Sequence, residues 1–178
     1  KGFEIYLCDS TYGDIVWETI MEAGKPFNIA PAAPSAIRRI EAGMLSYGAD
    51  MTVKNNPFEI NFERLIDLDQ NAEFIGKSAL NKISLEEPKR RLVGLKLDGK
   101  AMSQSNIRHW PVTYKNTYIG DVSSAIYSPR LRYNIALGII LTKYSELDQK
   151  LVIKTDNGYI TGIVSSLPFY KKLQISSE

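Results

Sequence analysis

One cysteine, Cys8, and one histidine, His109, are all that the sequence holds of either residue. A lone cysteine excludes an internal disulfide and is compatible with a reducing, cytoplasmic setting. One histidine and one thiol leave no metal site of the histidine- or cysteine-rich kind, so no metal is expected. No apolar run approaches the roughly 18 residues that a membrane helix needs, and no signal peptide precedes the first apolar segment, so no membrane partner is expected. Internal repeats and low-complexity tracts are lacking. So are a Gly-rich phosphate loop, a nucleophile elbow and a paired metal-ligand motif.

What is present is ordinary globular material, 44% hydrophobic and 24% charged, with the charge unevenly spread. Residues 1–88 carry 8 Lys/Arg against 14 Asp/Glu, a balance of −6, and residues 89–178 carry 14 against 6, a balance of +8. The break falls at Ser84–Arg91 and suggests two modules, the second with an affinity for anions. A nucleic acid would satisfy such a charge, but no aromatic-basic signature or helix-turn-helix pattern supports one, and none is expected as partner.

The local pattern divides in the same place. Phe3, Ile5 and Leu7 alternate with Glu4, Tyr6 and Cys8, which predicts a strand whose sheet partners lie upstream in a longer parent chain. Asp9 or Ser10 is placed to cap a helix carrying Ile15, Val16, Ile20 and Ala23, stopped at Gly24. A second helix follows Pro34, capped by Ser35, with Ile37, Ile40 and Met44 on one face and Arg38, Arg39 and Glu41 on its sides. Phe74–Leu80 reads as a turn at Gly76 entering a short helix. From Arg91 the texture becomes six short alternating runs, 92–97, 111–114, 118–123, 135–141, 151–155 and 159–164, separated by turn residues such as Lys115–Thr117 and Asp156–Gly158. That spacing suggests a small antiparallel barrel or sandwich.

Residue chemistry alone names few candidates. His109, beside Trp110 and Pro111, reads as surface or packing detail, and Cys8 as a small core or interface residue. Glu4 faces away from Phe3 and Ile5. The pattern allows a solvent-facing carboxylate on a half-buried sheet. It equally allows one aimed into a cleft, where it would accept paired N–H bonds from an amino-heterocycle such as a pterin.

Seven segments, in order along the chain, resemble the aminomethyltransferase (glycine cleavage T-protein) family. Gly2-Phe3-Glu4-Ile5 resembles the end of its "DGFEI" strand. Arg39–Gly43 with Leu45–Gly48 resembles "RLEAG…LYG", and Phe74–Leu80 resembles "DFIGKEAL". Leu92–Leu95, Ile119–Ser124, Ser128-Pro129 with Ile135–Gly138, and Leu167–Tyr170 resemble landmarks of its C-terminal barrel. The resemblance implies an α+β chain: the end of an α/β folate-binding domain over residues 1–88, then a small antiparallel β-barrel over 89–178. It implies tetrahydrofolate as cofactor, a small amine or sulfonium as one-carbon donor, and an N-terminal half of the same protein as partner. By alignment with the family, Glu4 binds the pterin edge and Tyr47 lines the channel. Tyr170, with Lys171 and Lys172 after it, brings side chains back towards the folate. The family's aspartate beside the reacting nitrogen matches nothing in these 178 residues, so no catalytic residue is assigned. Ser35 stands where glycine-cleavage enzymes carry the arginine of "GARD", and this segment also resembles the dimethylsulfoniopropionate demethylase branch; losing a fixed cation should change the substrate charge accepted. A folate module of a dimethylglycine or sarcosine dehydrogenase is a further alternative.

Overall fold

A computed structural model describes residues 3–170. The chain divides into two compact units, Lys1–Pro34 and Ser35–Glu178, and each is described by itself.

In the first unit, Phe3–Leu7 runs without a strand partner among the described residues, and Phe3, Ile5 and Tyr6 are exposed. The expected strand therefore differs from what is observed: alternation sets the faces of a strand, but only a neighbouring backbone supplies its hydrogen bonds. Asp9 accepts from the Thr11 amide at 2.9 Å and caps a short turn, Ser10–Tyr12. Helix α1, Gly13–Gly24, follows. It ends where expected, in a tight turn Lys25–Phe27 that contains Pro26.

The second unit is built on a closed six-stranded barrel. Its strands are β1 (Arg90–Leu97), β2 (Trp110–Tyr114), β3 (Thr117–Ser128), β4 (Tyr133–Leu141), β5 (Lys150–Thr155) and β6 (Gly158–Ser165). All pairings are antiparallel, in the order β1-β4-β3-β2-β5-β6 with β6 closing onto β1. Closure leaves no open sheet edge. Alternation sorts the side chains. Val93, Leu95, Val112, Val122, Ala136, Ile140, Leu151 and Ile153 belong to one buried cluster. Leu92, Ile135 and Leu137, on the opposite face of β1 and β4, form a second cluster with Ile40 and Phe169. That second cluster is where helix α2, Ala36–Glu41, and the segment after β6 pack on the barrel. Helix α3, Lys77–Ser84, begins at Gly76 as expected.

Gly120, on β3, is the strand position with the least room for a side chain. Its φ is +150°, and a Cβ there would stand 2.1 Å from the Ile139 carbonyl oxygen. Close by, the β3–β4 register shifts between Val122 and Ser124, a bulge that leaves Ser123 without a partner on β4. Asn106 satisfies the backbone around it, donating to the Ser123 carbonyl at 3.1 Å and accepting from the Ala125 amide at 2.6 Å.

Candidate functional site

Glu4 lies in the first unit and is exposed. The Tyr6 hydroxyl donates to its Oε2 at 2.5 Å, which pushes the Tyr6 pKa up, because the phenol must keep its proton to donate. Tyr47 and Tyr170 lie in the second unit, and helix α2 is tied to the surroundings of both.

On the Tyr47 side, Ser35 caps α2 by accepting from the Arg38 amide at 3.3 Å. One turn along, Arg39 Nη1 donates to Asp50 Oδ2 at 2.7 Å, and Nη2 donates to the Ser124 hydroxyl at 2.8 Å. The Asp50 side chain is wholly buried. Its Oδ2 also accepts from the Ser46 amide at 2.8 Å, and its Oδ1 accepts from the Ser123 and Ser124 hydroxyls at 2.6 Å each. A buried carboxylate without partners would be costly, and this one fills about four lone-pair positions with donors. The turn it closes carries Tyr47, a residue 68% exposed. Gly48 follows at φ +88°, the left-handed conformation the turn requires.

On the Tyr170 side, Glu41 is buried and accepts from the Ser128 hydroxyl. Its Oε2 pairs with Arg130 Nη2 at 2.7 Å, and the Arg130 guanidinium lies 4.2 Å from the centre of the Tyr170 ring. The Phe169 amide donates to the Glu41 carbonyl at 2.9 Å, so the segment before Tyr170 is bound to the end of α2 by its backbone as well. Lys171 and Lys172 lie outside the described residues.

His109 sits between two small cavities of about 370 and 390 Å³ that share Gly48, Ala49 and Ser123. Its Nε2 is 2.8 Å from the Ala49 carbonyl. A carbonyl only accepts, so Nε2 carries the proton and the ring acts as a clip between β2 and the Tyr47 turn. In the second cavity Tyr118 donates to Asp121, and this hydrogen bond, then burial, push the Tyr118 pKa up to about 12. Among the described residues, no group of three or more His, Cys, Asp or Glu side chains is gathered for a metal ion.

Two family models match the chain in order: the GCVT N-terminal domain over residues 1–70, and the glycine cleavage T-protein C-terminal barrel domain over residues 90–171. The chain belongs to the glycine cleavage T-protein family. An aminomethyltransferase of Thermoanaerobacter sp. (strain X514) is 35% identical over 173 residues, covering 96% of this chain and 46% of that protein. An aminomethyltransferase of Synechococcus sp. (strain CC9902) is 35% identical over 90% of this chain and 42% of its own length. The dimethylsulfoniopropionate demethylase DmdA of Ruegeria pomeroyi is 31% identical over 88% of this chain and 42% of its own. The chain thus spans about half the length of the curated relatives it matches. The crystal structure of the glycine cleavage system aminomethyltransferase T from Bartonella henselae shares the fold, with a TM-score of 0.67 at 23% identity over 76% of this chain and 37% of that one.

Within this T-protein family chain, the T-protein-like motif segments hold buried polar chemistry that pattern alone did not assign. Arg39 and Glu41, read from the sequence as residues on the sides of a helix, are a half-buried and a buried anchor respectively. Asp50, Ser124, Ser128 and Arg130 are their partners, and Ser123 donates to Asp50. The available signal was position: each lies within or next to a segment quoted for the resemblance. The pairing itself joins residues as far apart as Glu41 and Arg130 and has no local signature.

Proposed function

We propose that this chain is the folate-holding C-terminal part of a tetrahydrofolate-dependent one-carbon transferase, with residues 1–88 closing the folate-binding domain and 89–178 forming the barrel domain. The observation that carries the proposal is the ordered match of both T-protein models to a single chain. The residues fit the group. Glu4 offers an exposed carboxylate, the acceptor that the amino-pyrimidine edge of a pterin needs. Tyr47 offers an exposed ring on a rigidly tied turn, against which a flat heterocycle can rest. Tyr170 and Lys171, the latter outside the described residues, are assigned to the folate by the family alignment alone, and the excess of cations in the barrel half suits the carboxylates of a folate tail.

Tetrahydrofolate, when bound, supplies the nitrogen that accepts the one-carbon unit. The task of this chain is to hold and orient it and to keep water away, since effective concentration and alignment supply much of such a barrier. The donor-side groups come from the remainder of the parent protein, and the 178 residues alone are inactive. Ser35 caps a helix where a fixed cation would otherwise stand, which leaves an amine or a sulfonium as admissible donor classes. The protein works in the cytoplasm.

The test is to incubate the longest gene product carrying this sequence with tetrahydrofolate and, in turn, an aminomethyl or methylamine donor and a methylsulfonium. Mass analysis of the folate should show a methylene or methyl adduct with one of them. Absence of both folate binding and adduct contradicts the proposal.

A further inference from the structure

We infer that Asp50 is a positioning residue for Tyr47: a buried carboxylate whose work is to aim an exposed aromatic ring at the bound pterin. The inference rests on the reading of Tyr47 as a residue of the folate site.

The geometry is specific. Ser46 and Asp50 bracket Tyr47 and hold each other twice. The Asp50 amide donates to the Ser46 carbonyl at 2.8 Å, and the Ser46 amide donates to Asp50 Oδ2 at 2.8 Å. The Gly48 amide donates to the Met51 carbonyl at 2.8 Å, which closes the turn on its other side. Tyr47 is left as the exposed residue of a loop whose two ends share one carboxylate. Its ring is mostly in solvent, so its direction is set by the backbone of this turn rather than by packing of the ring.

The carboxylate in turn is fixed to the barrel by a device that ordinary strand geometry forbids. Successive residues of a strand point to opposite faces. Ser123 and Ser124 nevertheless both donate to Asp50 Oδ1 at 2.6 Å. The bulge between Val122 and Ser124 makes this possible, because an extra residue on one strand re-aims its neighbour's side chain. Arg39, held to Ser124 at 2.8 Å, completes the set from α2. A bulge, two hydroxyls, an arginine and a buried aspartate thus converge on one turn. Stability alone does not call for this arrangement, since well-packed apolar residues often replace a buried ion pair without loss. Such an arrangement does define one geometry for the residue it carries.

The experiment is a double-mutant cycle on tetrahydrofolate affinity in the longest gene product carrying this sequence, with Tyr47→Ala, Asp50→Asn and the pair. Tyr47→Ala and Asp50→Asn should each weaken binding about tenfold, a size typical of coupled neighbours. Asp50→Asn should then add less than about twofold when Tyr47 is already alanine. Ser124→Ala, which trims the hub without leaving a lone buried charge, repeats the cycle and decides the matter should Asp50→Asn not fold. Equal losses from Asp50→Asn or Ser124→Ala in both Tyr47 backgrounds would make Asp50 a structural residue only and overturn the inference, while leaving the folate reading intact. No loss from Tyr47→Ala, or no folate binding by the wild type, overturns the reading of the site and this inference with it.

Discussion

Asp156 receives the Trp110 indole N–H at 3.0 Å and the Arg108 guanidinium, and these donors hold its carboxyl below the ordinary value of 3.8. A depressed folded pKa means that the carboxylate's contribution to stability is present above about pH 3.8 and is lost as the pH falls through the folded value. The stability difference between the wild type and Asp156→Asn should therefore be level at neutral pH and shrink below about pH 3.8, as read by urea unfolding at a series of pH values. A difference that stays level down to pH 2 contradicts this. Tyr118 has the opposite sign. Its phenol is held protonated by Asp121 up to about pH 12, so what it contributes is complete below pH 10 and is lost as the pH rises through the folded value. An ultraviolet titration should show one tyrosine ionising near pH 12 that disappears in Tyr118→Phe. At this scale the sequence was least legible. Asp50 meets its serine partners 73 and 74 residues away, and no spacing rule marks a pair so distant. Alternation singles out Glu4 without deciding its role, and Tyr47 is named only through a motif of the family.

Elements were more legible, because alternation and punctuation are local. All six barrel strands fall on the alternating runs, with Lys115–Asn116 and Asp156–Asn157 in the turns between them. Ser35 is the cap of α2, as its residue type suggests. Ser35→Ala should lower stability by ~1 kcal/mol in denaturant unfolding, the ordinary cost of losing a cap. A change below about 0.2 kcal/mol would mean that the 3.3 Å bond contributes little. Periodicity misled where tertiary contacts decide. Met44, expected on the apolar face of α2, lies beyond the helix end at Glu41 and is exposed. At Phe3–Leu7 the alternation is present but no paired strand is found among the described residues, since pairing needs a second stretch of chain that a local pattern cannot supply. Gly120 carries the strictest demand of any strand position. Gly120→Ala should cost about 3 kcal/mol or more, combining a strained φ with a collision against the Ile139 carbonyl. A loss under about 1 kcal/mol in the same unfolding experiment would show that β4 can yield there.

For the molecule as a whole, the charge asymmetry and the ordered motifs carried more information than any single residue. The closed antiparallel barrel follows from six short strands and from apolar residues on both faces of β1 and β4, one set for the barrel interior and one for α2 and Phe169. Under the proposed function, the purpose of the exposed Glu4 is to hold the pterin of tetrahydrofolate. The most direct test of that purpose is tetrahydrofolate titration, by calorimetry, of the longest gene product carrying this sequence and of its Glu4→Gln variant. Binding by the wild type, weakened at least about tenfold in Glu4→Gln, is the predicted result, because the amide replaces one acceptor oxygen with a donor facing the pterin's own N–H groups. Equal affinity in the two proteins, or none in either, would contradict the account.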